Sequence, residues 1–334
     1  MRLPSPIVRI ARFAVAATLI AGCVGTPTTP ASTPTIAPSG TGWASPVGSV
    51  PIVPILASPE LAKGSERFLF TIVDKQNHAL ADPGVAVQAR FFDLATDPGK
   101  PAVEAEAIFF WIIEGDRGLY RVPITFTSAG QWGVELTVSR TGAASGGGAA
   151  PSSGTDPLAA PVSVRVTFPV TERPSVPAVG DLAPSVDSLT LADAGGDPKK
   201  ISTDPAPDPK LYQLSIADAI AARKPFLVVF ATPAFCQTAV CGPTLEVVRS
   251  VLQDFPTLTA VHVEPYILQE RNGSLQPVLD AKSQFQTVKA VDTWNLPSEP
   301  YTFLVGADGK VAARLAGPID PAELHDAIAG LLGG

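Results

Sequence analysis

The residues best suited to carry out a reaction are two cysteines, Cys236 and Cys241, in the segment FATPAFCQTAVCGP (230–243). A thiolate attacks a disulfide bond, and a second thiol nearby can resolve the mixed disulfide that forms. Four residues separate the two cysteines, which makes a loop short enough for the sulfurs to meet. The pair therefore predicts thiol–disulfide chemistry. An inert structural disulfide and a metal site are the alternatives.

The segments around the pair place it between a strand and a helix. The apolar run PFLVVFAT (225–232) predicts a buried strand, and Pro243 suits the first turn of a helix that extends to Phe255. A sulfur at the start of a helix lies near its positive end, which lowers the thiol pKa. This argument favours Cys241 as the attacking cysteine, whereas the position soon after the strand favours Cys236. The sequence leaves both assignments open.

The rest of this region alternates between helix and strand signals. Ser215 can cap a helix over 216–223, and Asp320 can cap a final helix in which Pro321 and Glu323 occupy the first turn. Further elements are predicted as a strand over 258–266, a helix over 280–294 and a hairpin around Asp308-Gly309. This order predicts a mixed α/β sheet with helices on both faces.

This order of elements resembles the thioredoxin-like superfamily, in particular its exported TlpA-type and peroxiredoxin-like branch, over a domain at 179–334. VGDLAPSVDSLTL (179–191) resembles the opening hairpin of that family, and LPSEPYTFLVGADGKVAARLAG (296–317) resembles the segment that holds its cis-proline, here Pro300. The resemblance implies a thioredoxin fold without a cofactor, acting on protein or small-molecule disulfides or dithiols.

The resemblance also implies roles for individual residues. Cys236, Cys241 and Pro300 would be catalytic, and Glu299 and Phe235 would bind an extended substrate, because a cis bond before Pro300 would turn the backbone of Glu299 toward the sulfurs. The chain also departs from the family pattern. The usual Cys-x-x-Cys motif, preceded by Trp, is replaced by a longer spacing preceded by Phe235, and Val229 stands where thioredoxins carry a buried acid.

The metal alternative is also based on a resemblance. Two soft thiolates suit Cu(I), and Sco-type copper chaperones share the thioredoxin fold and use a cysteine pair with a distant histidine. The ligand set in this chain would be Cys236, Cys241 and His262. The Sco spacing of Cys-x-x-x-Cys is absent here.

The N-terminus predicts export and lipid attachment. A short apolar run follows Arg2, Arg9 and Arg12. It ends in IAGC (20–23), which resembles a bacterial lipobox. These features predict a signal peptide over 1–23, a lipid on Cys23, a disordered Pro/Thr/Ser-rich tether over 24–58 and an extracytoplasmic protein anchored to the membrane. The net charge of −7, with no basic run beyond the N-terminus, argues against a nucleic-acid partner.

The region at 60–170 predicts an all-β domain. Six runs rich in β-branched and aromatic residues are separated by turn signals, at 67–74, 85–93, 105–113, 118–126, 130–139 and 162–170. The segment FTSAGQWGVELTV (126–138) resembles immunoglobulin-like sandwich domains of exported bacterial proteins, such as the YtkA-like group. A linker at 171–178 joins the two domains of this multidomain fold. A third hypothesis for the function is therefore a non-catalytic surface binding lipoprotein with a structural disulfide.

Overall fold

The first part of the chain folds into two facing antiparallel sheets. The computed structural model describes residues 42–46, 48–141 and 156–333; Cys23, the predicted signal peptide and residues 24–41 of the predicted tether lie outside them. One sheet has the order β1-β2-β6-β5 and the other β4-β3-β7-β8. The strands are β1 (Ile52–Leu56), β2 (Gly64–Asp74), β3 (Val85–Asp93), β4 (Val103–Glu106), β5 (Ile108–Ile113), β6 (Arg117–Phe126), β7 (Gly130–Arg140) and β8 (Val162–Val170).

Alternating apolar residues explain how these sheets pack. In β3, Val85, Val87, Ala89 and Phe91 are buried at every second position, as expected when one face of a strand meets a core. Residues from both sheets belong to one apolar core, which contains Phe68, Phe70, Tyr120, Phe126, Trp132 and Phe168. The two sheets therefore form a sandwich, called the β-sandwich below. All six predicted runs form strands.

Two details of the β-sandwich differ from the predictions. The segment Ile52–Leu56 was expected to be disordered, yet it pairs with β2 as an edge strand and buries Ile52. An edge strand tolerates Pro54, so the prolines of this segment do not prevent pairing. The single strand expected over 105–113 is divided at Ala107: β4 pairs with β3 in one sheet and β5 with β6 in the other.

The second part of the chain forms a four-stranded mixed sheet of order β10-β9-β13-β14. Here β9 and β10 are parallel, while β13 is antiparallel to both β9 and β14. The elements are α1 (Ile216–Ala221), β9 (Phe226–Phe230), α2 (Cys241–Val251), β10 (Thr259–Val263), β11 (Leu268–Arg271), β12 (Ser274–Pro277), α3 (Lys289–Trp294), β13 (Tyr301–Val305), β14 (Val311–Ala316) and α4 (Pro321–Gly333).

Both faces of the mixed sheet are covered by helices, as predicted. Phe226, Val228 and Phe230 of β9 pack in a core with α1 and α3. Leu227 and Val229 point the other way into a core with α2 and α4. The predicted helix caps are also confirmed: Ser215 and Asp218 form a reciprocal capping box, and the Asp320 carboxylate accepts a hydrogen bond from the N–H of Ala322.

Two predicted elements of this part are wrong. The segment 179–191, all of which the structure describes, contains no strand and only an isolated bridge between Leu182 and Lys310, so the expected opening hairpin is absent there. The helix expected over 280–294 is limited to α3. Residues 280–288 form turns and isolated bridges instead, which pair Phe285 with Leu279 and Thr287 with Tyr266. The hairpin β11–β12, which lies before this segment and was not predicted, is closed by Asn272-Gly273 with both residues at positive φ.

Arginine side chains that are largely buried join the β-sandwich to the mixed sheet. The described residues from Gly42 onward belong to one compact unit. We call this set of contacts the arginine bridge; its ion pairs are Arg67–Glu323, Arg121–Asp320, Arg121–Glu323, Arg314–Glu60 and Arg314–Glu66. Within the described residues, no helix combines the length and hydrophobicity that crossing a membrane requires.

Candidate functional site

The two cysteines lie where β9 leads into α2, and they form a disulfide, as the sequence suggested. Their Cα atoms are 6.0 Å apart. Cys241 is the first residue of α2 and is completely buried, whereas Cys236 in the preceding loop is half-buried. The Sγ atom of Cys236 lies 3.4 Å from the hydroxyl of Thr238. A molecule that approaches from solvent therefore meets Cys236 first.

The start of α2 provides a favourable electrostatic environment for the sulfurs. The N-cap residue is Val240, and no described side chain caps this end of the helix. The first N–H groups of a helix have no partner within the helix and carry the positive end of its dipole. A thiolate formed at Cys241 or beside it would be stabilised there.

Glu299 lies beside the disulfide, and Pro300 follows it directly before β13. The bond between them is cis, as the resemblance implied, and β13 follows directly at Tyr301 beside β9. The carboxylate of Glu299 and the two sulfurs of Cys236 and Cys241 offer ligand atoms that all lie within 4.8 Å of one another. Only the backbone of Glu299 was expected near the sulfurs. The proximity of its side chain was missed, and nothing in the sequence pattern pointed to it.

The surroundings of Glu299 shift its acidity. Burial raises the pKa of the Glu299 carboxyl, and a hydrogen bond of 3.0 Å from the Tyr266 hydroxyl to Oε1 opposes part of that effect. A small cavity of about 80 Å³ borders the same side chain. Glu299 is therefore an acid whose protonated form is favoured more than in water.

An aromatic cluster lies beside the disulfide. The ring of Phe235 is 6.0 Å from that of Phe285, which in turn lies 5.0 Å from the ring of Tyr266. Phe285 is partly exposed, and so are Ile267 and Leu279 in the same stretch of chain. We call these five residues the apolar patch. Phe235 was expected at the site, but Phe285 was missed because its segment was predicted to be helical.

His262 is not placed to join the sulfurs. It is buried in β10, where its Nδ1 lies 2.7 Å from the Tyr212 hydroxyl and its Nε2 lies 2.9 Å from the carbonyl oxygen of Ala231. Both ring nitrogens are thus engaged, and burial lowers the pKa of His262 to about 4. Among the described residues, the third potential ligand beside the cysteines is Glu299. The predicted set Cys236, Cys241 and His262 does not assemble, so these residues do not fit the expected copper site.

A second buried acid, Glu264, lies at the end of β10. Its Oε1 accepts hydrogen bonds of 2.6 Å from both the N–H and the hydroxyl of Thr203, and the N–H of Ala234 in turn donates to that hydroxyl oxygen. Its Oε2 has no partner within the described chain. Burial raises the pKa of Glu264 to about 7. With His262 it borders a cavity of about 430 Å³, and no sequence pattern points to it.

We expect the Glu264→Gln variant to be less sensitive to pH than the natural chain. Because the pKa of Glu264 is raised in the folded state, its contribution to stability is present at low pH and is lost as pH rises through about 7. Urea unfolding from pH 5 to pH 8 should show the natural chain losing about 2 kcal/mol relative to the variant. Parallel curves for the two proteins would contradict the buried ionisation of Glu264.

The β-sandwich also touches the cysteine loop. The guanidinium of Arg117, at the start of β6, donates a hydrogen bond of 2.8 Å to the carbonyl oxygen of Thr238 between the two cysteines. The β-sandwich therefore borders one side of the site. The sequence carries no signal for this contact, since the two residues are 121 positions apart.

Comparison with known proteins identifies no family for this chain. No protein-family model matches the chain, and no curated protein matches it. The function is therefore inferred from the arrangement of Cys236, Cys241, Glu299 and Pro300.

Proposed function

We propose that the chain is a thiol–disulfide oxidoreductase of the thioredoxin-like superfamily. The observation that carries this proposal is the disulfide at the start of α2, with Cys236 accessible and Cys241 buried behind it. The four-stranded mixed sheet with helices on both faces and the cis bond before Pro300 support the thioredoxin fold. The proposed substrates are disulfides or dithiols, and no cofactor takes part.

In the proposed reaction, Cys236 attacks first. Its thiolate attacks one sulfur of a substrate disulfide, the substrate S–S bond breaks, and the other substrate sulfur leaves and takes a proton. The thiolate of Cys241 then attacks Sγ of Cys236, which releases the second substrate sulfur and forms the Cys236–Cys241 disulfide. Two electrons and two protons pass from the protein to the substrate, and every step reverses when the protein acts as the oxidant.

The apolar patch supports a polypeptide substrate. Its partly exposed Phe285 ring lies 6.0 Å from the ring of Phe235, the residue before the accessible cysteine. An extended segment with an apolar side chain near its own cysteine could bury that side chain there. The backbone around Glu299 and Pro300 would then hold the segment as an added strand.

The proposal includes a cellular location for the protein and a role for the first part of the chain. We infer that the protein is exported and held at the membrane by a lipid on Cys23, and that the β-sandwich is an immunoglobulin-like spacer or interaction module. The two facing antiparallel sheets support the second inference. Incorporation of labelled palmitate into the natural chain, and its loss in Cys23→Ala, would test the first one.

The oxidoreductase proposal is tested by equilibrating the full chain in thiol/disulfide buffers of defined potential. Trapping of free thiols followed by mass spectrometry gives the fraction of oxidised Cys236–Cys241. A catalytic pair is expected to titrate above about −300 mV, the upper limit of typical structural disulfides. A pair that stays oxidised well below that potential would instead support a structural disulfide and a binding role for the protein.

A second candidate function is metal binding by the reduced protein. The position of Glu299 beside both sulfurs favours it, because two thiolates and a carboxylate form a donor set that suits Zn²⁺ better than the soft ion Cu(I). Competition with a chelator would give the affinity of the reduced chain for each ion. If Cys236→Ser and Glu299→Ala bind Zn²⁺ as tightly as the natural chain, this candidate is eliminated.

A further inference from the structure

The cavity of about 430 Å³ at the end of β10 has the size and the lining of a small-molecule site. Pockets for such ligands usually measure about 300–1,000 Å³ and combine a mainly apolar wall with a few polar groups. Apolar side chains form much of the wall here, among them Ile201, Val263 and Val288. Two more of them, Leu189 and Ile267, are 58% and 41% exposed, so an apolar ligand in the cavity would shield large apolar side chains from water.

Glu264 gives this cavity a buried polar atom that lacks a partner. Its Oε1 is held by the two hydrogen bonds from Thr203, which fix the carboxylate in place. Its Oε2 accepts no hydrogen bond from the part of the chain that the structure describes. Tyr212 and His262, which are buried in the same wall, are hydrogen-bonded to each other. Because a buried carboxylate oxygen without a donor costs free energy, a ligand that donates a hydrogen bond to Oε2 would be favoured.

The charges around the cavity favour a cationic donor at this position. Glu264 is buried, whereas four other charged side chains of the lining are exposed: Asp187, Asp193, Lys200 and Lys289. The formal charges of these four cancel, and water and salt screen charges at the surface. A hydrogen bond from an ammonium group to a carboxylate is stronger than one between neutral groups. The buried carboxylate therefore selects the head group of the ligand.

We propose that this cavity binds a small apolar amine, with its ammonium group on Oε2 of Glu264 and its apolar chain against Leu189, Ile201 and Ile267. Binding forms no covalent bond and transfers no electrons. The inference is thus independent of the oxidoreductase proposal, and it gives the protein a ligand in addition to the proposed disulfide substrates.

The cavity and the apolar patch share two residues, Tyr266 and Ile267, so a test must separate the two surfaces. Leu189 lines the cavity and does not belong to the apolar patch. Phe285 belongs to the apolar patch and does not line the cavity. Substitution of these two residues therefore shows which surface takes up an apolar chain.

The test compares octylamine, octanol and octanoate, which share one apolar chain and differ in the charge of the head group. Saturation-transfer NMR titration of the full, oxidised chain at pH 8 gives a dissociation constant for each probe. At that pH the amine and most of the Glu264 carboxyl are charged, because the pKa of Glu264 is about 7. Octylamine is expected to bind about 10-fold more tightly than octanol. Octanoate should bind most weakly, since its carboxylate would meet that of Glu264.

Three variants assign the binding to the proposed contacts. Glu264→Gln should reduce the affinity for octylamine to that for octanol, because the amide carries no charge. Leu189→Ser should weaken all three probes by about 5-fold, since it removes apolar surface from the cavity. Phe285→Ser is the control and should leave the three affinities unchanged. Circular dichroism checks that each variant folds, and the exposed position of Leu189 keeps the site testable if Glu264→Gln does not.

Several results of these titrations would overturn the inference. If octanol or octanoate binds as tightly as octylamine, or if Glu264→Gln keeps the preference for the amine, the proposed ligand class is wrong. If Phe285→Ser weakens octylamine and Leu189→Ser does not, the apolar patch binds the probe and the cavity does not. A natural chain that binds no probe at millimolar concentrations would also reject the inference. The redox titration of Cys236 and Cys241 would be unaffected by any of these results.

Discussion

Replacing Cys236 with serine is expected to reduce the turnover of disulfide substrates to the uncatalysed background. The accessible sulfur is then lost, and the serine hydroxyl does not ionise near neutral pH. Cys241→Ser should behave differently. Cys236 can still attack, but the mixed disulfide lacks its resolving thiol and accumulates.

The measurement is mass spectrometry of each reduced variant after mixing with oxidised insulin or with 5,5′-dithiobis(2-nitrobenzoate). Cys241→Ser should carry one stable adduct on Cys236, and Cys236→Ser should carry none. The natural chain serves as the control and should end as the internal disulfide. An adduct on Cys241 in Cys236→Ser would reverse the assignment of the attacking sulfur, and turnover by both variants would contradict catalysis by the pair.

Replacing Arg67 with methionine is expected to destabilise the fold by about 3–5 kcal/mol, the range for breaking a buried ion pair. The guanidinium binds both oxygens of Glu323 at 2.7 Å and also donates to the carbonyl oxygens of Ala316 and Pro318. The side chains of Arg67 and Glu323 are only 10% and 15% exposed, so water does not replace these bonds fully. The variant leaves the Glu323 carboxylate with only its longer ion pair to Arg121, at 3.8 Å, and leaves two carbonyl groups without their donor.

Urea unfolding of the full chain measures this effect, with Lys63→Met as the matched control. Lys63 pairs with Glu172 on the surface, where both side chains are largely exposed, and such a pair contributes about 0–1 kcal/mol. A double variant, Arg67→Met with Glu323→Leu, should recover part of the loss because the carboxylate that has lost its hydrogen bonds is removed. Equal midpoints for Arg67→Met and Lys63→Met would show that the arginine bridge adds little stability.

Local patterns in the sequence predicted most of the helices and strands. Alternating apolar residues located β3 and β7, and cap residues located α1 and α4, because those signals depend on neighbours within a few positions. The segment at 280–288 was predicted to be helical, whereas it turns and forms bridges to Leu279 and Tyr266, contacts that no helical pattern encodes. The hairpin β11–β12 was not predicted, although the Asn272-Gly273 dipeptide favours a tight hairpin turn.

The site was predictable in part. The strand, the helix and the spacing of Cys236 and Cys241 placed the disulfide correctly, since all three lie within one short segment. The carboxylate of Glu299 and the ring of Phe285 reach the site through tertiary packing, which no local pattern encodes. The same holds for the arginine bridge, in which Arg67 and Glu323 are 256 positions apart.

The arginine bridge has a consequence for how partners reach the disulfide. Arg117 contacts the cysteine loop, and three largely buried arginines cross the junction. These contacts hold the β-sandwich and the mixed sheet in one relative orientation. A molecule bound to the β-sandwich would be presented to Cys236 at one distance and one angle. Its effective concentration at the sulfur would then depend on that fixed geometry instead of the length of a flexible linker.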